Sequence, residues 1–587
     1  MSAPEERDAL LPRPSLYACA VRVRDAEPEG PWSRGYAARP DRPRPGSRAG
    51  RDWARTRDEL TDLLTPLLVA ADAAGAAEDV HRGLAAMDPP VRPAQIPRIV
   101  HGLPLENEAR ARALARCLVR TGSCHLPVRV GLALLARLGE PEDVPYLRRL
   151  GLLRDLVGPV VHALDAVDRP AAALICLRDR EKAPELRALV AAIEAGDAAA
   201  VRERLAALPR ELGPETARRA AEAARLAEHL RAVGPAVGEA AAPSAELVSQ
   251  AGRLLFRMTS LRDYTPEILS YREAAQAYEG FVRGARRLTP TLDHCALLLS
   301  AAQELRSGAA VLHGWGPGRR EALLAELATV LGRARWRAVV DRDGGDTAGR
   351  RRIAWARRVR GQLARVPAGR PRAPRIEIVQ RDPQDPGTVE TRILIDGRPL
   401  VPEVFGRGPA QAPEELLDGG GLRATDEPRE VRLAEAYCTE GCCGALYVTI
   451  RRDGDEVVWS GWRCPVPPPS PLHRREIPEH RFDAVAYDAE IARAEGDQEW
   501  TWPARRTARL IAAGLRERPD LLGRWDLELD WSGTAFHDPD TAVVSLLYPG
   551  PDGHRRQYLW HVPEDGTPPQ DRAAAALDRL AEADPRT

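Results

Sequence analysis

The sequence predicts a multidomain α+β protein, in which an α-solenoid or helical bundle precedes a mostly antiparallel α+β domain. A chain of 587 residues is too long for a single hydrophobic core. Apolar residues recur at helical spacing through the first part of the chain, whereas alternating, strand-like runs appear only after about residue 370. This change of periodicity indicates helices first and antiparallel strands later.

Changes in composition along the sequence indicate where the domain boundaries lie. The predicted regions are an irregular Pro/Arg-rich tail at 1–57, helical repeats at 58–235, a further helical region at 244–366, and a Trp-rich α+β domain with a cysteine cluster at 372–587. Within the tail, residues 17–23 predict one short strand. Leucines at 60, 63, 64, 67 and 68 then recur at helical spacing and predict the first helix of the repeats.

Two helix pairs stand out in the repeat region. Residues 128–139 and 140–150 form the first pair, where Gly139 fits a helix C-terminus and Pro141 fits a first turn. Residues 154–167 and 170–177 form the second. This helix–turn–helix unit resembles a HEAT repeat, and the resemblance implies stacked pairs whose surface binds protein partners.

Further elements follow from periodicity and turn residues. Helices are predicted at 246–258, 266–288, 293–305 and 319–331, with the Gly-rich residues 314–318 as a turn. Strands are predicted at 375–379, 392–395, 399–404 and 482–487, with hairpins at 445–451/457–462 and 543–548/557–562. Helices at 503–516 and 572–583 complete the domain.

Charge and lysine content exclude several classes of function. Lys plus Arg and Asp plus Glu both number 85, so the whole chain has no bias toward nucleic acid or membrane. Lys182 is the only lysine, which excludes a Walker A loop and makes the common kinase and Schiff-base chemistries improbable. The start of the chain has no signal-peptide pattern, and no apolar run approaches 18 residues. We therefore expect a cytoplasmic protein with no membrane partner.

An arginine-rich segment is a candidate nucleic-acid interface. Ten arginines and no acidic residue lie between 347 and 376, with Trp355 among them as a base-stacking candidate. The phosphate-contacting candidates are Arg350, Arg351, Arg352, Arg357, Arg358 and Arg360. The alternative is a solvated helix followed by a linker. Arginine is abundant along the whole chain, as expected from a GC-rich genome, so the segment is a weak signal.

A cysteine cluster is the candidate metal site. Cys438, Cys442 and Cys443 precede a predicted hairpin with its turn at 453–454. In this register Arg452 pairs with Asp455, position 446 with 461, 448 with 459 and 450 with 457. Counting outward from that turn pairs Cys443 with Cys464. Four thiolates at one end of a hairpin would suit a tetrahedral zinc ion.

Other roles for the cluster remain open. Adjacent residues in a strand point to opposite faces, so Cys442 and Cys443 do not readily share one ion. If only one of these two cysteines binds the ion, His473 or His480 could be the fourth ligand. The alternatives are buried structural cysteines, a disulfide between 443 and 464, or a reactive thiol.

Two phrases of the C-terminal part, residues 436–444 and 502–510, resemble actinobacterial proteins that have no assigned function. This resemblance implies no activity, and no catalytic residue or resident cofactor other than a possible zinc ion is predicted. The leading hypothesis is a non-enzymatic interaction or scaffold protein whose partner is another protein. The alternative is an enzyme or sensor with a site in the C-terminal domain, for which zinc is the candidate metal. The third hypothesis is nucleic-acid binding through residues 350–375.

Overall fold

The computed structural model has a multidomain α+β fold, as predicted. It describes residues 14–26, 53–87, 91–179, 183–231, 243–260, 266–342, 344–364, 373–384, 389–436, 440, 444–464, 477–535, 538–550 and 554–586. Contacts divide the chain into two compact units, Met1–His229 and Leu230–Thr587. Helical residues 244–366 and α+β residues 372–587 therefore belong to the same unit. Within the described ranges, no helix combines the length and the apolar content that a bilayer crossing requires.

The described part of the first unit is built from helices. They are α1 (Leu16–Ala26), α2 (Trp53–Leu68), α3 (Ala73–Ala86), α4 (Ile96–Gly102), α5 (Glu108–Thr121), α6 (His125–Leu138), α7 (Val144–Leu150), α8 (Val157–Val167), α9 (Arg169–Asp179), α10 (Pro184–Glu194), α11 (Ala198–Ala206), α12 (Pro214–Ala223) and α13 (Leu226–Leu230), the last of which crosses the boundary. Short 3₁₀ turns at Pro93–Gln95, Pro141–Asp143 and Arg154–Leu156 precede α4, α7 and α8.

Both predicted helix pairs are confirmed as helices. Helix α6 ends at Leu138, and the N–H of Gly139 closes its last turn on the Leu135 carbonyl. The strand predicted at 17–23 is wrong, because these residues lie in α1. Leu16 and Ala20 are both buried one turn apart on the same side of that helix, which is helical rather than alternating periodicity.

The described residues at the start of the second unit form six helices, α14 (Ala245–Met258), α15 (Ala274–Gly284), α16 (Leu292–Ser307), α17 (Arg319–Leu331), α18 (Ala334–Asp341) and α19 (Thr347–Ala364). Single 3₁₀ turns lie at Glu267–Ser270, Ala285–Arg287 and Ala309–Leu312. The continuous helix predicted at 266–288 is wrong. Tyr271 adopts an extended backbone (φ −81°, ψ 101°) with its ring buried, which separates the first 3₁₀ turn from α15. Residues 314–318 form the predicted turn.

Three antiparallel sheets follow. The first contains β1 (Arg375–Gln380), β2 (Val389–Ile395) and β3 (Arg398–Pro399), and the second contains β4 (Arg429–Glu435), β5 (Ala445–Asp453), β6 (Glu456–Arg463) and β7 (His480–Asp483). The third contains β8 (Glu528–Thr534), β9 (Ala542–Pro549) and β10 (Arg555–Val562), with β9 central. The helices among them are α20 (Leu400–Val404), α21 (Ala484–Gly496), α22 (Pro503–Glu517), α23 (Asp520–Gly523) and α24 (Pro569–Glu582), with a π-helical turn at Glu414–Asp418.

Two predicted strands are wrong beyond their first residues. The segment predicted at 399–404 is a two-residue strand end followed by α20, which begins directly after Pro399. The segment predicted at 482–487 contains the end of β7 and the start of α21. The Asp483 carboxylate accepts the N–H of Ala486 at 2.8 Å and so caps α21, which ends the strand at that residue.

The β5–β6 hairpin is confirmed, but its predicted register is wrong. Its turn is Gly454–Asp455, so Asp453 pairs with Glu456, and a bulge then shifts the pairing between Tyr447 and Thr449. Gly461 lies at the bulge with φ +59°. Beyond it Tyr447 pairs with Arg463, so one further step brings Cys464 opposite position 446 instead of 443.

Buried ion pairs join the helices of the second unit to the first sheet. Arg352 of α19 contacts Asp382, just beyond β1, through Nε and Nη2, and it reaches Asp293 of α16 at 2.6 Å. Arg392 of β2 donates to Glu304 of α16 at 2.7 Å. All of these side chains except Asp293 are less than a tenth exposed.

Neutral donors strengthen the same junction. The indole N–H of Trp355 in α19 and the side-chain amide of Gln303 in α16 both donate to the Gln380 carbonyl, at 2.9 and 3.2 Å. Helices α16 and α19 are thereby fixed along β1.

We expect Gly461→Ala to lower the free energy of unfolding by about 1–2 kcal/mol, because its φ of +59° is left-handed and an L side chain is strained there. An added Cβ would also lie 2.9 Å from Thr449 Oγ1. Urea unfolding followed by tryptophan fluorescence measures the change. Gly533→Ala in β8 is the control, since its Cβ would meet nothing closer than 3.8 Å. Equal stability of the two variants would contradict the bulge geometry.

Candidate functional site

A cleft of about 540 Å³ opens in the second unit between α16, α19, β1 and the C-terminal end of α21. Three arginines line it, each on a different element: Arg306 on α16, Arg375 on β1 and Arg493 on α21. The carboxylates of Glu377 and Glu490 lie between them. We refer to these five residues as the cleft floor.

Arg306 is held from two sides. Its Nε donates to Glu377 Oε1 at 2.8 Å, and its Nη1 donates to the Gln362 carbonyl in the last turn of α19 at 2.6 Å. Burial and the neighbouring charge of Arg493 lower the pKa of Arg306. The guanidinium therefore has a fixed position in a partly dehydrated, positively charged setting.

Arg493 and Glu490 form a rigid pair on one turn of α21. Arg493 donates from Nε and Nη2 to the two oxygens of Glu490, at 2.8 and 2.7 Å. The same pair contacts the edge of β1. Glu490 accepts the N–H of Ile376 at 2.8 Å, and Arg493 donates to the Ile376 carbonyl at 2.5 Å. This arrangement provides hydrogen-bond donors to both carboxylate oxygens of Glu490, a residue that is only 8% exposed.

Arg375 is the cation of the floor without a carboxylate of its own. Its Nη2 contacts Oε1 of Glu377, the oxygen that already accepts from Arg306. Burial, followed by the positive charge of Arg306, lowers the pKa of Arg375 to about 10, and Arg493 and Arg320 act in the same direction. A guanidinium whose pKa is lowered by its neighbours lies at a positive potential.

Ser307 places an unsatisfied group in the cleft wall. It is the last residue of α16, follows Arg306 directly, and is fully buried. Its hydroxyl has no hydrogen-bond partner among the described residues. Buried polar groups are nearly always satisfied, so this hydroxyl is an exception to the general rule.

The outer edge of the cleft has the opposite charge. Asp497 and Glu499, which follow α21, line this rim. They lie near Arg358 of α19, which donates to the Glu499 carbonyl at 2.8 Å. Burial lowers the pKa of Arg358 to about 10, and the two acidic residues oppose that shift. With Arg358 counted, the rim carries one negative charge in excess.

The composition of the lining limits its chemistry. None of the described residues that line the cleft is a histidine, cysteine, tyrosine or lysine. The carboxylates of the floor are engaged by arginines. The arrangement suits recognition of a ligand better than general acid–base or nucleophilic catalysis.

The structure distributes the six candidate arginines of α19 in different directions. Arg352 is buried in its ion pairs, Arg351 contacts Asp540 at 2.5 Å, and Arg358 bonds to Gln380 and to the Glu499 carbonyl. The other three are Arg350, which is exposed and donates to the Gly345 carbonyl, Arg357, which donates to the Val340 carbonyl at 2.7 Å, and Arg360, whose Nη1 is buried without a hydrogen bond. Trp355 is buried with its N–H satisfied. This geometry favours a structural role for most of these side chains over phosphate contacts.

The predicted zinc site falls largely outside the described residues. Cys438, Cys442, Cys443 and the alternative ligand His473 all lie there, whereas Cys464 and His480 are described. No group of three or more potential metal ligands occurs among the described residues. Cys464 is partly buried after β6, and His480 packs between Trp462 and Phe482. Zinc binding by the cluster stays a prediction.

Sequence reasoning missed the cleft because its residues come from four elements far apart in the chain. One local signal was present. In β1, Arg375 and Glu377 alternate with the buried Ile376 and Ile378, which places both charges on one face of the strand. Comparison of the chain with models of protein families, with curated proteins and with solved structures finds no match. The functional argument therefore rests on the geometry of the cleft.

We expect Arg352→Ala to lower the free energy of unfolding by about 3–5 kcal/mol, because it leaves Asp382 buried without its partner. Arg350→Ala, on the same helix but exposed, is the control and should change it by less than about 0.5 kcal/mol. Urea unfolding measures both. Retention of the two variants on heparin at low salt gives a second readout. A stable Arg352→Ala protein that has lost retention would instead favour the nucleic-acid interface.

Proposed function

We propose that this protein is a non-enzymatic binding protein of the cytoplasm, whose C-terminal unit takes a small-molecule ligand into the cleft. The observation that carries this proposal is the set of fixed guanidinium groups beside an unsatisfied buried hydroxyl. Arg306 and Arg493 are held by carboxylates and by backbone carbonyls, and Ser307 has no partner in the described part of the chain.

The rigidity of the floor supports a binding role. Ordering a flexible side chain upon binding costs roughly 0.5–1.5 kcal/mol, and these arginines have already lost that freedom in the folded protein. Their hydrogen bonds connect α16, α19, β1 and α21, so the cleft does not depend on a single loop. A ligand would meet a largely preformed surface.

A sensor or scaffold fits the site better than an enzyme. Catalysis needs a group that can gain or lose a proton near pH 7, or a nucleophile beside a base. The described lining supplies only arginines, acidic side chains, amides, one hydroxyl and apolar groups. No base among the residues that the structure describes bonds to the hydroxyl of Ser307.

We expect Gln362→Trp to abolish ligand binding, because the larger side chain would fill the cleft while the backbone carbonyl that holds Arg306 remains. The measurement is the shift in Tm of the full chain with a panel of nucleotides, sugar phosphates, amino acids and uncharged sugars. Gln276→Trp, at an exposed position of α15, is the matched control and should keep the shifts of the wild type. The proposal fails if no compound shifts Tm, or if both variants keep every shift.

We also propose that the N-terminal unit binds another protein. The supporting observation is the way in which its helices stack. Helix α3 packs on α5, while α4 packs on α6 and α6 packs on α8, so helices two positions apart lie in neighbouring layers. This pattern supports a HEAT-like array, and such arrays commonly present extended surfaces to protein partners.

Hydrogen exchange of the full chain with a cross-linked, purified partner tests this second proposal. We expect protection in the helices between residues 73 and 167, because the stacked layers form the surface that a partner would cover. The control is the Gln362→Trp variant, whose N-terminal protection should equal that of the wild type. Protection confined to the second unit would contradict the proposal.

A further inference from the structure

The floor of the cleft carries more positive than negative charge. It contains three guanidinium groups and two carboxylates, which leaves one positive charge in excess. Arg306 and Glu377 form one pair and Arg493 and Glu490 form another, at 2.8 and 2.7 Å. Arg375 shares Glu377 with Arg306, so it is the cation without a carboxylate of its own.

Two hydrogen-bond donors in this cleft lack an acceptor of their own. The buried Oγ of Ser307 has no partner among the described residues. The Nη2 of Arg375 shares Oε1 of Glu377 with Arg306. Leaving a buried donor unsatisfied is costly. An acceptor supplied by a ligand would remove that cost for Ser307 and give Arg375 an oxygen that it does not share.

The electrostatic setting agrees with this requirement. The pKa of Arg375 is lowered by burial and by the charges of Arg306, Arg493 and Arg320. A negative charge placed among these groups would offset both their mutual repulsion and their lost hydration. A guanidinium presents a planar pair of donors that matches carboxylate or phosphate oxygens.

We propose that the ligand of the cleft is a small molecule with a carboxylate or phosphate group, bound by Arg375 and Ser307 and flanked by Arg306 and Arg493. This inference rests on the proposed function of the cleft and adds the chemical class of its ligand. The anionic oxygens accept from the guanidinium of Arg375 and from the hydroxyl of Ser307. The fixed arginines on either side supply the remaining positive field.

Size and the rim restrict the ligand further. A volume of about 540 Å³ suits a metabolite-sized molecule. Asp497 and Glu499 at the rim would repel a polyanion that extended out of the cleft. A single anionic group at the floor, attached to a neutral or cationic remainder, satisfies both conditions.

Titration of the full chain with inorganic phosphate and with malonate tests the inference, at constant ionic strength and with chloride as the reference anion. We expect at least one of the two to raise Tm and to bind in calorimetry. Binding of only one would show which anionic group the floor prefers. Arg375→Gln should weaken this binding about tenfold or more, because it removes the charge and the forked donors. Arg555→Gln, on an exposed ion pair of β10, is the control and should bind as the wild type does.

Ser307→Ala provides the variant that separates binding from folding. Removing a buried hydroxyl without a partner should not lower the stability of the unliganded protein. The same change should weaken anion binding roughly twofold to tenfold, the usual value of one hydrogen bond. A loss of affinity at unchanged Tm therefore identifies a direct contact.

Two results would overturn the inference. The first is that neither anion binds, and the second is that Arg375→Gln and Ser307→Ala both bind like the wild type. If uncharged compounds still shift Tm in a way that Gln362→Trp abolishes, the cleft remains a ligand site and only its anionic character is refuted.

Discussion

The arginine–carboxylate pairs at the junction of α16, α19 and the first sheet are the constraint on which the C-terminal unit depends. Arg352 links α19 to the end of β1, and Arg392 links β2 to α16. A buried ion that loses its partner costs more than the intact pair contributes, so these elements have one favourable arrangement. Arg306 lies two residues after Glu304 on the same helix. The junction that fixes α16 therefore also fixes the position of Arg306 in the cleft.

Because lysine is nearly absent, the contacts of positively charged side chains in this fold are made by arginine. A guanidinium can donate to both oxygens of a carboxylate and stack on an aromatic ring at the same time, which an ammonium cannot do. Arg505 donates to both oxygens of Glu414 while it lies 5.2 Å from the rings of Trp500 and Trp502. The number of arginines in the sequence does not by itself determine where the fold places them.

Local sequence rules predicted the helices and hairpins well, because amphipathic periodicity and turn residues act over a few positions. The helix end at Gly139 is one such success, because its N–H bonds to the Leu135 carbonyl at the end of α6. Register failed in β5–β6, because the turn lies one residue later than predicted and the bulge at Gly461 depends on pairing that no local pattern reveals. The cleft was beyond prediction for the same reason. Arg306, Arg375 and Arg493 meet only through tertiary packing, and each is unremarkable in its own segment.

The contacts made by Glu490 and Arg493 have a consequence for assembly. Strand β1 lies at the edge of the first sheet, where backbone groups are exposed to pairing with a strand of another molecule. Side chains already take these groups, since Glu490 and Arg493 bond to Ile376, and Gln303 and Trp355 bond to the carbonyl of Gln380. A foreign strand would have to displace four hydrogen bonds before it could pair. The residues that shape the cleft thereby also guard this edge against domain swapping and aggregation.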